Sequence, residues 1–290
     1  MLSLVRIWMY IPLVFFSLAN GLLQGGEPAL AILNGGVQTS EDAPFVSTDY
    51  QFLPGDFVYV TFQVGGFSVK ADEEKDARSI SLTYSISVAD SHETPLAKPV
   101  SGEIKTDLSS EDKNWTPKRR ASFLLPSFVA SGDFHVHLVV KDLIAKSEAM
   151  KEIPFRIGGL RLQPAGTITI QNLRFSREEN GEHSLDVVAY RPGDTVYIAF
   201  DMAGFQLGVG NKYHVAYGVK VLRPDAKPFL DQANAAQMES ASFYPAQFVP
   251  GTLGIATSGS SLKGEYVVII TARDLLANQT SSVRQAFRLE

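Results

Sequence analysis

Along much of the chain, apolar and polar side chains alternate with a period of two. Between residues 79 and 88, every second residue is apolar and each residue before it is serine or threonine. Apolar residues also recur at every second position in residues 58–64 and 134–140. Successive side chains of a strand point to opposite faces, so the pattern predicts strands with one face in a core and one in water. Residues 232–241 are the single weak candidate for a helix.

The strand patterns occur twice in the same order, which indicates an internal duplication. Residues 54–62, Pro-Gly-Asp-Phe-Val-Tyr-Val-Thr-Phe, match residues 192–200, Pro-Gly-Asp-Thr-Val-Tyr-Ile-Ala-Phe, and a Gly-Phe pair follows each. Further matches join residues 80–88 to 213–221, 132–134 to 264–266, 142–145 to 274–277, and 155–156 to 287–288. The offset drifts between the matched blocks, so the two halves are predicted to share one fold with loops of different length.

Short strands separated by Gly, Pro and Asp, with about seven strands to a unit, predict an all-β chain of two tandem immunoglobulin-like antiparallel β-sandwich domains. The Pro-Gly-Asp turn before a strand, and the Gly-x-aromatic…Asp-x-x-Ala pattern near each end, resemble those of immunoglobulin-like and fibronectin-type modules in bacterial exported proteins. The resemblance covers residues 44–290 and concerns architecture alone. The Cys…Trp…Cys pattern of antibody domains is absent, so nothing about antigen-like binding is implied.

The N-terminal sequence is typical of a targeting segment. Arg6 precedes an apolar run, residues 7–18, that is too short to span a bilayer as a helix, and Ser17-Leu18-Ala19 offers small residues at the positions a signal peptidase reads. We therefore expect a signal peptide, residues 1–19, cleaved after Ala19; the alternative is an uncleaved anchor that continues to Leu23. The mature protein is expected to be exported, periplasmic or extracellular, with no membrane insertion after cleavage.

The remaining boundaries follow composition. Residues 20–43 are rich in Gly and Ala and are expected to form a spacer, residues 44–157 the first sandwich, and residues 166–290 the second. Residues 158–165 contain a Gly pair and a Pro and are expected to be a short linker.

Charge and cysteine content exclude several function classes. The formal net charge of −5 provides no basic excess to neutralise phosphates, so a nucleic-acid partner is not expected. The absence of cysteine removes disulfides, thiolate metal sites and cysteine nucleophiles. There is no G-x-S-x-G motif and no phosphate-binding Gly loop. We expect no cofactor and no enzymatic activity.

Two patterns raise the question of a metal. His135 and His137 are two residues apart on a predicted strand, so both imidazoles point to one face and could reach one ion. The alternative is a pair of ordinary surface histidines, because no third ligand is identifiable. The acidic run in residues 72–76 could bind calcium, but it lacks the alternating acidic spacing and glycine turn of a dedicated loop, which favours a solvated loop.

The repeated Pro-Gly-Asp motif is interpreted as a structural turn. It comprises Pro54, Gly55 and Asp56 in the first copy and Pro192, Gly193 and Asp194 in the second. Proline pre-sets φ, glycine tolerates an unusual backbone conformation, and aspartate can accept a hydrogen bond from a free N–H group. No partner acid or histidine stands at fixed spacing, so the aspartates are not expected to be catalytic.

Candidate binding residues lie where the copies differ. Trp115 falls in residues 98–118, and Phe243 and Tyr244 fall in residues 231–246. Both segments are predicted to be loops, and residues 251–259 are predicted to be an insertion. An exposed aromatic can stack on a sugar or anchor a protein partner. The alternative is that these rings cap the open end of their own sandwich.

The pattern as a whole favours a non-catalytic exported interaction or structural protein of the cell envelope, with an unidentified protein or glycan as partner. A carbohydrate-binding accessory protein that uses loop aromatics is the second hypothesis. A hydrolase with an unrecognised carboxylate site is the third.

Overall fold

The computed structural model describes residues 29–72, 77–109, 112, 115–179 and 183–290, and the side chains of Asp72 and Ala77 lie outside that description. These residues form strands and no helix, and hence no helix long and apolar enough to cross a membrane lies within the described ranges. The predicted signal peptide lies outside the described residues. The strands of the first half are β1 (Ala31–Gln38), β2 (Gln51–Phe52), β3 (Phe57–Gly65), β4 (Lys70–Asp72), β5 (Ala77–Asp90), β6 (Val100–Leu108), β7 (Lys118–Leu124), β8 (Gly132–Asp142) and β9 (Ser147–Ile157).

The second half repeats this series, except that β4 has no counterpart. Its strands are β10 (Thr169–Ser176), β11 (Ala189–Tyr190), β12 (Thr195–Ala203), β13 (Lys212–Leu222), β14 (Pro228–Ala241), β15 (Phe248–Ala256), β16 (Gly264–Asp274) and β17 (Gln279–Leu289).

Each half is an immunoglobulin-like sandwich, which confirms the predicted fold class. In the first domain, β1-β3-β7 form one sheet and β2-β9-β8-β5-β4 the other, with β6 also paired to β5. In the second, β10-β12-β15 face β11-β17-β16-β13-β14. Pairing is antiparallel except that β2 and β11 run parallel to the last strand of their domains.

The cores are built by the alternating apolar positions that the sequence displays. Val58, Val60, Phe62 and Val64 of β3 are all fully buried. The matching residues of β12 are Val196, Ile198, Phe200 and Met202, and they are buried as well. Inward-facing residues of both sheets meet in one cluster per domain, as expected for a sandwich.

The first strand was missed by sequence analysis, which assigned residues 20–43 to a spacer. Strand β1 pairs with β3, and the register shifts between Leu33 and Gly36. Asn34 there has a φ of +44°. This β-bulge interrupts the period of two and hides the strand in the sequence.

The helical candidate, residues 232–241, is also wrong, because it belongs to β14 and pairs with β13. Its Ala, Gln, Met and Glu residues favour helix only weakly, and pairing with a neighbouring strand overrides that preference. For the same reason residues 231–246 are mostly strand. The predicted insertion, residues 251–259, contributes most of its length to β15.

One buried carboxylate closes the end of each sandwich. Asp142 is 1% exposed; its Oδ1 accepts hydrogen bonds from the backbone N–H groups of Ile144 (2.8 Å) and Ala145 (3.1 Å), and its Oδ2 from that of Ser68 (2.6 Å). Asp274 repeats the arrangement. Its partners are the N–H groups of Leu276 (2.9 Å), Ala277 (3.1 Å) and Gln206 (2.7 Å). Each aspartate thus ties the turn after β8 or β16 to the segment that follows β3 or β12.

We expect Asp142→Ala to destabilise the first domain by about 3 kcal/mol or more, because three backbone N–H groups lose a charged acceptor in a buried place. Urea unfolding followed by Trp115 fluorescence measures the effect. Asp133→Ala is the matched control, since that side chain is 76% exposed. Equal losses for the two variants would contradict the role assigned to Asp142.

Candidate functional site

Two histidines of β8 stand side by side on the outer face of the first domain. Phe134 and Val136 point into the core, so His135 and His137 point away from it. Their ring centroids are 4.3 Å apart. On β5 they lie opposite the small residues Ala89 and Ser87.

The turn that follows β5 adds a carboxylate to this pair. Asp90 Oδ1 accepts hydrogen bonds from the N–H groups of His92 (2.8 Å) and Thr94 (2.9 Å), and the N–H of Glu93 donates to the Asp90 carbonyl at 3.0 Å. Glu93 has a φ of +63°, a conformation that few non-glycine residues adopt. The turn thereby directs the Glu93 carboxylate toward β8.

Glu93, His135 and His137 form one cluster. Glu93 Oε1 lies 3.2 Å from Nε2 of His135, and Glu93 Oε2 lies 3.2 Å from Nε2 of His137. Partial desolvation raises the pKa of Glu93, but the two imidazoles outweigh it and hold that pKa below its usual value. The sequence revealed the histidines but not Glu93. Glu93 lies in a turn 42 residues before His135, and nothing in the local sequence indicates that the two are close in space.

The second domain has no equivalent cluster among the described residues. Val267 and Ile269 occupy the positions of the two histidines on β16. Among the described residues, the cluster is therefore confined to the first copy of the shared scaffold.

A second feature is the junction between the two domains, which centres on Tyr244. Tyr244 lies in the loop between β14 and β15, yet it is 3% exposed and packs with the core of the first domain. Its hydroxyl donates to Asp90 Oδ2 at 3.0 Å and accepts from Gln247 Nε2 at 2.7 Å. Tyr244 is therefore not an exposed binding aromatic, and it caps the neighbouring sandwich rather than its own.

Further contacts hold the junction. The Gln247 side-chain oxygen accepts from the N–H of Ala130 at 2.6 Å, and the Gln247 N–H donates to the carbonyl of Phe128 at 3.2 Å. The rings of Phe128 and Phe248 meet edge to face with centroids 5.8 Å apart. In the predicted linker, the carbonyl of Leu160 accepts from the N–H of Ser131.

The pKa shifts of Asp90 and Tyr244 agree with a hydrogen bond between them. Burial by itself raises the pKa of Asp90, but two backbone N–H groups and the Tyr244 hydroxyl outweigh it and keep that pKa below the ordinary value of 3.8. Burial, followed by the nearby Asp90 carboxylate, raises the pKa of Tyr244. At neutral pH an ionised acceptor thus meets a neutral donor, the combination that gives a strong hydrogen bond.

The other candidate aromatics lie apart from each other. Trp115 is 37% exposed and its ring meets Phe67 edge to face, with centroids 6.3 Å apart. Phe243 is 51% exposed, and its carbonyl accepts from the side chain of Asn211. The acidic run of residues 72–76, considered for calcium, lies outside the described residues except for the backbone of Asp72.

The Pro-Gly-Asp motifs both form tight turns ahead of a core strand. Gly55 has a φ of +88° and follows Pro54, and the N–H of Asp56 donates to the Leu53 carbonyl at 3.0 Å, as in a type II turn. Asp56 Oδ2 accepts in return from the N–H of Leu53. In the second copy Gly193 has a φ of +101° and follows Pro192, and Asp194 Oδ2 accepts from the N–H of Arg191.

No family model matches this chain, and comparison with curated proteins gives no match. Among solved structures, it is similar to the C-terminal domain of the Streptococcus agalactiae AgI/II polypeptide BspA, at 11% identity over 89% of this chain and 99% of that one, with a TM-score of 0.29. It is also similar to the C-terminal domain of the Streptococcus pyogenes antigen I/II-family protein AspA, at 9% identity over 90% and 99%, with a TM-score of 0.31. A third match is dimeric latent PorU from Porphyromonas gingivalis, at 14% identity over 91% of this chain and 24% of that one, with a TM-score of 0.29. Similarity at this level does not bear on function.

We expect Tyr244→Phe to weaken the junction by about 1–3 kcal/mol, because a buried carboxylate and a side-chain amide each lose a partner. Hydrogen exchange at the backbone amides of Ala130 and Gln247 measures the effect and should become faster. Tyr217→Phe is the matched control, because its hydroxyl bonds to the Thr252 carbonyl inside the second domain. Unchanged exchange at the junction in Tyr244→Phe would refute its role.

The junction should also depend on pH through Asp90. A carboxylate whose folded pKa is lowered contributes stability above its unfolded pKa, near 3.8, and loses it as the pH falls through the folded value. At pH 7, Asp90→Asn should therefore exchange faster than wild type at Ala130. The difference should shrink as the pH falls below about 4. A difference that is constant across this range would contradict the assignment.

Proposed function

We propose that this protein is a non-catalytic exported interaction module of the cell envelope, whose two immunoglobulin-like domains act as one unit. The observation that carries the proposal is a correspondence between the domain junction and the far end of the first domain. The second domain docks with the loop end that follows β12 and β14. The corresponding loop end of the first domain, which follows β3 and β6, has a similar arrangement and faces away from the junction.

The correspondence can be followed residue by residue. At the junction, Phe205 follows β12 and lines the groove between the domains, and Tyr244 comes from the loop between β14 and β15. In the first domain, Phe67 follows β3 and Trp115 comes from the loop between β6 and β7. Phe67 and Trp115 touch each other, and Trp115 keeps more than a third of its surface exposed.

The surroundings of Trp115 suit a macromolecular partner. Exposed Val69 lies near Phe67 in the chain, and Lys118 begins the neighbouring strand with an exposed side chain. An aromatic anchor beside an apolar side chain is typical of the energetic centre of a protein interface, and a charged group such as Lys118 suits its polar rim. We infer that a protein of the envelope contacts this end.

A glycan is the second candidate, and the accessible Trp115 ring is the observation that favours it. An exposed indole offers a flat face on which a sugar ring can stack. Both candidates predict that Trp115→Ala loses binding. The lost ligand is a protein in the first case and a glycan in the second.

The test compares Trp115→Ala with wild type in two assays, a pull-down from envelope extract with identification of the retained protein, and a glycan array. Trp115→Ala should abolish retention of one specific partner, and the array identifies the partner if it is a sugar. Phe243→Ala is the control, because it removes an exposed aromatic elsewhere. Binding that persists in Trp115→Ala, or that is lost equally in both variants, would overturn the proposal.

A further inference from the structure

We propose that Glu93, His135 and His137 bind a divalent transition-metal ion, with Zn²⁺ as the best fit. This site is separate from the contact surface around Trp115 and does not depend on the function proposed for it. Two imidazoles and one carboxylate are a common ligand set of zinc in proteins.

The distances between ligand atoms agree with a tetrahedral ion. Bonds of about 2.05 Å from a tetrahedral Zn²⁺ separate two of its ligand atoms by about 3.3 Å. Each histidine Nε2 lies 3.2 Å from a Glu93 oxygen, and the three ligand groups offer atoms that all fall within 4.8 Å of one another. Binding one ion therefore needs a small adjustment of the two imidazoles as well as of Glu93, whose side chain is 69% exposed.

The His135 ring supplies an independent indication. Its side chain is only 12% exposed, and its Nε2 is buried without a hydrogen-bond partner among the described residues. The nearest charged group is the Glu93 carboxylate, whose Oε1 lies 3.2 Å away at ion-pair distance. A buried ring nitrogen that keeps only this ion-pair contact is incompletely compensated for its loss of water, and a metal ion in the cluster would give it a full bond.

The backbone holds the ligands in place before any ion arrives. His135 and His137 are fixed by the pairing of β8 with β5 and β9. Glu93 is set by the turn that Asp90 closes, and it keeps a positive φ. Backbone strain of this kind persists where the surrounding structure imposes it and is concentrated at functional sites. Imidazole ligands also suit Ni²⁺ and Cu²⁺, whereas Ca²⁺ and Mg²⁺ prefer all-oxygen sites.

The fourth coordination position is left to water or to a side chain of a partner. His135 and His137 face outward and Glu93 is exposed, so the ion would be reachable from solvent. With three protein ligands, a water molecule can complete the coordination of the ion, and that position is exchangeable. It can accept a ligand in trans.

The experiment is calorimetric titration of chelator-treated protein with ZnCl₂, together with the visible absorption spectrum of the Co²⁺-substituted protein. We expect saturable binding of one ion per chain and a cobalt spectrum of tetrahedral type. His137→Ala and Glu93→Gln should each weaken binding by about tenfold or more, because the first removes an imidazole ligand and the second replaces a charged carboxylate with a neutral amide. His214→Ala is the control, since His214 lies on β13 of the second domain and contacts Gln237.

Circular dichroism shows whether each variant is folded. If His137→Ala unfolds, Glu93→Gln still tests the site, because it changes an exposed side chain. The inference is overturned if wild type shows no saturable binding. It is equally overturned if binding survives both ligand variants, or if it falls just as far in His214→Ala. In those cases the cluster is an ion pair between a carboxylate and two surface imidazoles.

Discussion

The arrangement of this protein depends on a carboxylate buried against three backbone N–H groups at one end of each sandwich. Asp142 holds the N–H of Ser68, and Asp274 holds that of Gln206. The residue just before each of these is the aromatic at the loop end, Phe67 in the first domain and Phe205 in the second. The aspartates therefore fix the surface by which one domain docks and the surface that the other presents. They share with Asp90 the use of an acidic side chain to organise the backbone rather than to react.

The two copies of the scaffold differ in what their loop ends contact and in which side chains their outer faces carry. The loop end of the second domain packs against the first domain through Tyr244. The loop end of the first domain leaves Trp115 partly exposed. Conversely, the outward positions of β8 carry His135 and His137 where β16 has aliphatic residues. Asp90 stands between these features, because the turn that it closes presents Glu93 on one side and receives Tyr244 on the other.

Much of the fold could be predicted because its causes are local. Alternation revealed the core strands, and matched blocks such as residues 142–145 and 274–277 revealed two copies of one sandwich. Strand β1 was not predicted, because a bulge at Asn34 breaks the period of two. Strand β14 was not predicted, because pairing with β13 rather than its own composition makes it a strand. The sites were harder, because they depend on proximity in space. The spacing of His135 and His137 is visible in the sequence, but neither the approach of Glu93 nor the insertion of Tyr244 into the other domain leaves a local signal.

The parallel pairing of the short strands has a mechanical consequence. Strand β2 runs beside β9, and β11 beside β17, so the N-terminal part of each domain is held along its last strand. A tension that draws the two ends of a domain apart pulls these neighbours in opposite directions along their length. Their hydrogen bonds then carry the load together instead of opening one after another. Each domain thus has a parallel pair, two residues long, that such a tension loads in shear.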